Sequence, residues 1–182
     1  MDHQALVKLA LRAGATKAEV MDGKRVVTNA MFRDICESNS CGSYGRCYMC
    51  PPHVGEIQQL MLKVQGYAYA LIYQTISEIE DSFDIEGMLE AGTKHAWVSQ
   101  HLQEMLEPSL REHSLHLTCG GCRLCDTCAL VRGEPCVRPG KALPSMESYG
   151  VDVYNTVKDT QLKYINGQNT VTFFGMLLYD GT

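Results

Sequence analysis

The chain has 182 residues, nine of them cysteines, and a formal net charge of −5. This acidic balance argues against a general nucleic-acid-binding protein, which would present a basic face. No apolar segment approaches the roughly 20 residues of a membrane span, and the first residues lack the basic start of a secretory signal. We therefore expect a cytoplasmic protein, in which a reducing environment leaves cysteine clusters free to hold metals.

The predicted elements begin with a helix over residues 3–13, which carries apolar residues at helical spacing. Two short strands follow at 18–21 and 25–28. The Asp22-Gly23 turn joins them as a hairpin, because Asp-Gly between short strands is a strong hairpin signal. We interpret this part of the chain as scaffold.

A long helix is predicted near residues 86–112, and Pro108 is expected to kink or end it. Its apolar stripe, which includes Trp97, is typical of a helix that faces the core. A short strand is predicted over 114–118. We favour this interpretation of His116 over a metal site that it would form with neighbouring residues. The other predicted elements are a helix at 55–65, a buried strand at 67–76, a short helix between Ser145 and Gly150, a helix near 153–160, and a strand at 169–179.

Helices and strands alternate along the chain, with one predicted hairpin. This order favours a single α/β domain over residues 1–182, built as an αβ sandwich on a mixed sheet. A chain of this length can bury a core without disulfides. Two cysteine-rich segments, 33–53 and 119–140, are predicted as loops carried by that sandwich.

The first cysteine-rich segment combines four cysteines with two glycines and two prolines. Such a composition predicts a loop rather than a helix or a strand. Glycine also lets backbone N–H groups approach sulfur ligands, which is one way to tune a metal centre. We predict a metal site here, with a structural zinc loop or free thiols as the alternatives. Its candidate ligands are Cys36, Cys41, Cys47 and Cys50.

The second segment places four cysteines at regular x2 gaps, and a fifth follows eight residues later before a proline turn. A structural zinc site usually takes two separated C-x2-C pairs, which consecutive gaps do not readily give. The run is typical of cysteines that wrap three corners of a [4Fe–4S] cluster, with the fourth ligand arriving from elsewhere. We therefore predict one cluster, with zinc as the alternative. The run is Cys119-x2-Cys122-x2-Cys125-x2-Cys128, and the predicted ligands are Cys122, Cys125, Cys128 and Cys136.

Three blocks of residues, between about residue 18 and the final strand, form a specific combination. They are Arg33…Cys36-x4-Cys41-x2-Tyr44-Gly45…Cys50-Pro-Pro, Cys122-x2-Cys125-x2-Cys128-x7-Cys136, and Lys141…Pro144-Ser-Met-Glu…Gly150-x-Asp152. Together they resemble an uncharacterised family of proteins described only as predicted metal-binding proteins. The resemblance implies a cysteine-ligated metal centre and no settled reaction. Cys47 and Cys119 lie outside the family pattern, so the first site has either an open position or one of these as its fourth ligand.

Two functional classes fit these sites. An electron-transfer or redox-accessory protein would use one or two [4Fe–4S] clusters and meet a redox partner protein. An enzyme would use an open iron as a Lewis acid, with Tyr44, Arg46 and His53 as candidates for substrate contact or proton transfer. A zinc-stabilised interaction module is the third alternative. The C-x2-C spacing of Cys47 and Cys50 favours four thiols at the first site, and hence a redox role.

Two further expectations concern the surroundings of the sites. Basic residues follow the second motif and would favour a reduced cluster, unless they are solvated loop charges. The two cysteine-rich segments are expected to lie close in space, because one small body must shield both from water. The basic residues are Arg123, Arg132, Arg138 and Lys141.

Overall fold

The computed structural model describes residues 2–181, which contain a four-stranded sheet between helices. The strands are β1 (Lys17–Asp22), β2 (Tyr69–Glu78), β3 (Leu115–Leu117) and β4 (Thr170–Tyr179). Their order is β1-β2-β4-β3, and all three neighbouring pairs are antiparallel. The α/β class is therefore confirmed. The sheet is antiparallel rather than mixed, and within the described residues its parallel pairing is limited to an isolated bridge between Thr118 and Ser145.

Helices cover both faces of this sheet. They are α1 (His3–Ala13), α2 (Met31–Glu37), α3 (Ile57–Gln65), α4 (Ile85–Met105), α5 (Pro108–Glu112) and α6 (Val153–Val157). One face packs against α1 and α4 through buried side chains such as Tyr73 and Leu102. The other face packs against α3 through side chains such as Val64 and Met176. Since β2 is covered on both faces, it reads as a continuous apolar run in the sequence.

The predicted hairpin at residues 18–28 is wrong. β1 pairs with β2 instead, and Gly23–Arg25 forms a 3-10 turn. The Asp22 side chain accepts a hydrogen bond from the Lys24 backbone N–H at 2.9 Å, which caps that turn. The Gly23 N–H donates to the Ala68 carbonyl at 2.8 Å, so the glycine lies against the chain that enters β2. The Asp22-Gly23 pair thus forms a capped 3-10 turn and not the turn of a hairpin.

The predicted long helix is two helices, α4 and α5. The break falls at Leu106, whose backbone is extended, and Pro108 begins α5 at a position where proline is favoured. Val98 and Leu102 face the core, as the apolar stripe predicts. Trp97 does not, because 62% of its surface is exposed. The stripe is therefore narrower than the sequence indicates.

The first cysteine-rich segment does not begin as a loop. Residues 31–37 form α2, so Cys36 lies at the end of a helix. The buried Arg33 side chain fixes this helix, because its guanidinium donates to the Gly55 carbonyl at 2.9 Å and to the Ser148 carbonyl at 3.5 Å. A charged group that is buried in this way binds distant segments together. The second segment also contains a short 3-10 turn at Ala129–Arg132.

A buried polar network crosses the core beside β3. The Tyr73 hydroxyl donates to the Ser99 hydroxyl at 2.8 Å and lies 2.7 Å from Nε2 of His116. Nδ1 of His116 lies 2.8 Å from the side-chain oxygen of Gln103, and the Ser99 and Thr118 hydroxyls are 2.9 Å apart. His116 is therefore a satisfied core residue on β3, as the strand interpretation predicts. No helix within residues 2–181 is both long enough and apolar enough to cross a membrane.

Burial lowers the pKa of His116 from 6.5 to about 3, with a smaller effect of the nearby His95. The native state thus holds this ring neutral, whereas the unfolded chain binds a proton below pH 6.5. This contribution to stability is complete above pH 6.5 and is lost as the pH falls towards 3. Between pH 7.5 and pH 5.0 the loss is about 2 kcal/mol. Urea unfolding at both pH values should show a smaller loss for His116→Gln than for the wild type.

The exposed His113 supplies the matched control for this experiment. His113→Gln should reproduce the pH dependence of the wild type. An identical pH dependence in His116→Gln and the wild type would contradict the assignment of a neutral buried ring.

Candidate metal centres

Three cysteines of the first segment line a cavity of about 240 Å³, the three-cysteine cavity. Cys36 enters it from the end of α2, whereas Cys41 and Cys50 come from the loop that follows. Cys50 is buried, Cys36 is partly buried and Cys41 is exposed. The three family-pattern thiols of this segment therefore share one concave site. The rest of its wall includes Tyr44, Gly120, Gly121, Ser145, Glu147 and Ser148.

Five cysteines line a second, smaller cavity of about 20 Å³, the five-cysteine cavity. This volume is close to that of a single bound water. An open depression of about 200 Å³ adjoins it and shares four of its thiols. The structure thus brings together the four predicted ligands of the second segment and adds one residue from the first. The five thiols are Cys47, Cys122, Cys125, Cys128 and Cys136.

The two cavities meet at direct contacts between the cysteine-rich segments. Cys47 and Cys122 line the five-cysteine cavity together, and Cys50, three residues after Cys47, lines the three-cysteine cavity. Gly121 lies against Ser43 and Cys50, and a Cβ at this glycine would come within 2.8 Å of the Ser43 hydroxyl. The expectation that the two segments lie close in space is therefore confirmed. The contact also places Cys47 in the wall of the five-cysteine cavity, away from Cys36 and Cys41.

The second segment reaches this position because β3 continues into a short pairing with the chain before Glu147. The Thr118 N–H donates to the Pro144 carbonyl at 2.9 Å, and the Met146 N–H donates to the Thr118 carbonyl at 2.8 Å. A 3-10 turn at Glu147–Tyr149 follows, and the Ser145 hydroxyl accepts from the Ser148 N–H at 3.1 Å. The Ser145 side chain thus bonds the first turn of this 3-10 helix, whose N-cap residue is Met146. These bonds hold the cysteine run next to the turn that carries Glu147.

The electrostatics of the contact favour a thiolate at Cys47. Interactions with the Cys122 and Cys50 thiols lower the pKa of Cys47, and the Met49 N–H, 3.4 Å from its sulfur, adds to this effect. The same interaction with Cys47, together with burial, raises the pKa of Cys50 and of Cys122. Of these three thiols, Cys47 therefore loses its proton most readily, whereas Cys50 and Cys122 retain theirs. A group of this kind readily exchanges a proton for a metal, since metal binding displaces protons from thiols.

Glu147 is a functional candidate that the sequence analysis did not single out. Its Oε2 atom is buried and has no hydrogen-bond partner among residues 2–181. Burial raises the pKa of the carboxyl, while contacts with Ser145 and the Gly120 backbone oppose that shift. Burial also raises the pKa of Cys36, with the Glu147 charge as the next largest cause. The sequence contained the signal, because Glu147 lies inside the third block of the family resemblance.

The other candidate residues occupy different places. Tyr44 lines the three-cysteine cavity, and Arg46 lines the open depression. His53 is exposed and packs edge-on against the Tyr48 ring. Cys119 lines neither cavity, and burial raises the pKa of its thiol to about 12. Cys119 and His53 therefore line neither cavity, although Cys119 adjoins Gly120 in the wall of the three-cysteine cavity.

Three of the four basic residues near the second motif have side-chain partners. Arg132 pairs with Glu134 at 2.9 Å, and Lys141 pairs with Glu104 at 3.4 Å. Arg123 donates to the Thr93 hydroxyl at 3.1 Å. Such exposed pairs contribute little to stability. The alternative of solvated loop charges thus describes Arg132 and Lys141 well.

The residues present fit a metal by their chemistry rather than as a preassembled cage. Among residues 2–181, no three histidine, cysteine, aspartate or glutamate side chains already surround one point as an ion site. All nine cysteines are free thiols, and soft thiolate ligands select zinc, copper(I) and iron–sulfur centres. The buried Oε2 of Glu147, which has no hydrogen-bond partner among residues 2–181, is a further donor atom that a cation can bind. Since thiols must lose protons to bind, metal binding and closure of these loops are coupled.

Size alone does not identify these sites. A cavity of about 700 Å³ lies between α1 and β1, and its lining contains no cysteine among the described residues. The two smaller cavities are the ones that gather thiols.

Comparison with known protein families also indicates that the chain binds a metal. A family model described as "Predicted metal-binding protein (DUF2284)" matches residues 19–179. This range includes all nine cysteines and Glu147. No curated protein and no solved structure matches the chain.

The position of Cys47 gives a prediction about metal affinity. Cys47→Ser removes the sulfur that the first segment contributes to the five-cysteine cavity, so it should weaken the binding of one metal centre by about 10-fold to 100-fold. Competition with a chelator, followed by elemental analysis, measures this change.

Cys119→Ser is the matched control, because this cysteine lies outside both cavities. It should retain the metal content and affinity of the wild type. Wild-type affinity in Cys47→Ser would mean that the contact between the segments plays no part in metal binding.

Proposed function

Because the chain belongs to the family of predicted metal-binding proteins, we propose that it holds iron–sulfur clusters and transfers electrons. The observation that carries this proposal is the contact between the two segments, in which Cys47 and Cys122 line one cavity and Gly121 lies against Cys50 of the other. This contact makes two cysteine-lined cavities direct neighbours. Adjacent redox centres are what an electron relay requires, whereas two independent structural metals need no such contact.

The cysteine spacing supports a [4Fe–4S] cluster on the second segment. The C-x2-C-x2-C run with a distant fourth cysteine before a proline is the pattern of such ligands. In the structure these thiols share a cavity wall although Cys136 lies eight residues beyond Cys128. The proposed ligands are Cys122, Cys125, Cys128 and Cys136.

The chain supplies hydrogen bonds and partial shielding to these sulfurs. When bound, a [4Fe–4S] cluster supplies a one-electron couple whose potential depends on charge, hydrogen bonds and exposure. The Arg138 backbone N–H lies 3.4 Å from the Cys136 sulfur, and the Met49 N–H lies 3.4 Å from the Cys47 sulfur. Such N–H···S bonds stabilise negative charge on sulfur. Glu134 raises the pKa of Arg132, and the Cys125 and Cys128 thiols raise it to a smaller extent.

In this proposal, the protein exchanges electrons with a redox partner protein in the cytoplasm. Cys125 and Cys128 are partly exposed, so a partner can approach this end of the relay. The neighbouring Val131 and Val137 side chains are 49% and 59% exposed and offer apolar contact area. Nine free thiols fit a reducing compartment.

A zinc-stabilised interaction module is the second candidate function. It is favoured by one observation, the volume of about 20 Å³ inside the five-cysteine cavity. This space suits a single ion, which four cysteines can hold tetrahedrally. The proposal of a cluster requires the loops around these thiols to open as it binds.

Anaerobic purification followed by analysis of iron, acid-labile sulfide and zinc tests the proposal. We expect about four iron and four sulfide for each cluster, and a paramagnetic signal after reduction. Cys125→Ser should lose one cluster, whereas Cys119→Ser should keep the wild-type content. A reversible one-electron transition in spectroelectrochemistry is the expected sign of electron transfer. Stoichiometric zinc without sulfide would overturn the proposal in favour of the zinc module.

A further inference from the structure

Among residues 2–181, the wall of the three-cysteine cavity contains Cys36, Cys41 and Cys50 but no fourth thiol. Cys47 lies close to Cys50 in the chain, yet it lines the five-cysteine cavity and not this one. Cys119 is absent from the wall of the three-cysteine cavity. A metal held by Cys36, Cys41 and Cys50 therefore needs a donor of another kind or keeps an open position.

Glu147 is the acidic side chain in the wall of that cavity. Its Oε2 atom is buried without a hydrogen-bond partner among residues 2–181. An unpaired buried carboxylate oxygen is costly, because it has lost water and gained no donor. Coordination of a cation would remove this cost.

The local structure holds the backbone at Glu147 in place before any metal arrives. The short pairing of Thr118 with the chain around Ser145 fixes the start of the turn. The buried Arg33 guanidinium bonds the Ser148 carbonyl at 3.5 Å, so the turn is joined to α2, which carries Cys36. Glu147 and Cys36 are thus positioned by the same buried cation.

We propose that the Glu147 carboxylate is the fourth ligand of a metal centre held by Cys36, Cys41 and Cys50. This inference rests on the proposed function only in that the cavity binds a metal, and it holds for a cluster or for a single ion. The centre is then a mixed thiolate–carboxylate site. A carboxylate is a harder ligand than a thiolate, so a soft metal binds it less tightly. The position is therefore exchangeable, and the cavity of about 240 Å³ leaves room for a small ligand to replace it.

The test compares three substitutions in protein prepared without oxygen. Glu147→Gln keeps the shape of the side chain but removes its charge, and Glu147→Cys replaces the carboxylate with a thiolate. Glu37→Gln is the matched control, because this exposed carboxylate is on the same helix as Cys36 and also raises its pKa. Metal content, affinity in chelator competition and the spectrum of the bound metal are measured for each. Circular dichroism verifies that each variant is folded.

We expect Glu147→Gln to weaken one metal centre by about 10-fold to 100-fold, while Glu37→Gln behaves as the wild type. Glu147→Cys should restore the metal content and shift the spectrum towards full thiolate ligation. A merely structural carboxylate would not be replaced in this way by a thiol. Wild-type affinity and spectrum in Glu147→Gln would overturn the inference.

The outcome is independent of the proposed function. If the wild type contains zinc without sulfide, the electron-transfer proposal fails, yet the same comparison with zinc still decides the role of Glu147. If the wild type contains clusters and Glu147→Gln retains both of them unchanged, the inference about Glu147 fails and electron transfer stands.

Discussion

The contact between the two cysteine-rich segments is the interaction on which the rest of the metal region depends. Cys47 of the first segment and Cys122 of the second line the same cavity. Gly121 permits this approach because its lack of a side chain lets the Ser43 and Cys50 side chains lie against the backbone. Both segments have little apolar core, so the sulfur contacts and any metal between them must supply much of their cohesion.

A second constraint is the buried Arg33 and the partly buried Glu147 at the base of the first segment. The Arg33 guanidinium donates to two backbone carbonyls and, among residues 2–181, to no carboxylate. Its Nε and the Oε2 of Glu147 are both buried without partners among residues 2–181. Such groups are expensive in a stable scaffold and are concentrated at functional sites. The protein tolerates this cost because Arg33 and Glu147 also fix the relative positions of α2, the turn at Glu147–Tyr149 and the thiols.

The scaffold has a simpler role, which is to bring distant segments to one place. The central strands β2 and β4 are buried between two helical layers, and β3 pairs with β4 at the edge of the sheet. The chain leaves β3 at Thr118 and enters the cysteine run directly. The polar network through Tyr73, Ser99 and Thr118 ends at this exit. A rigid strand therefore sets the start of an otherwise irregular metal-binding loop.

The sequence by itself determined the elements whose signals are local. Apolar runs predicted β2 and β4, periodicity predicted α1 and α3, and Pro108 predicted the end of the long helix. Cysteine spacing likewise predicted the grouping of Cys122, Cys125, Cys128 and Cys136, since chain connectivity keeps close cysteines together. Only the tertiary structure decided that β1 pairs with β2, because Asp-Gly suits a capped turn as well as a hairpin. It alone moved Cys47 to the second group and brought Glu147 to the first, because contacts between segments about seventy residues apart leave no periodicity in the sequence.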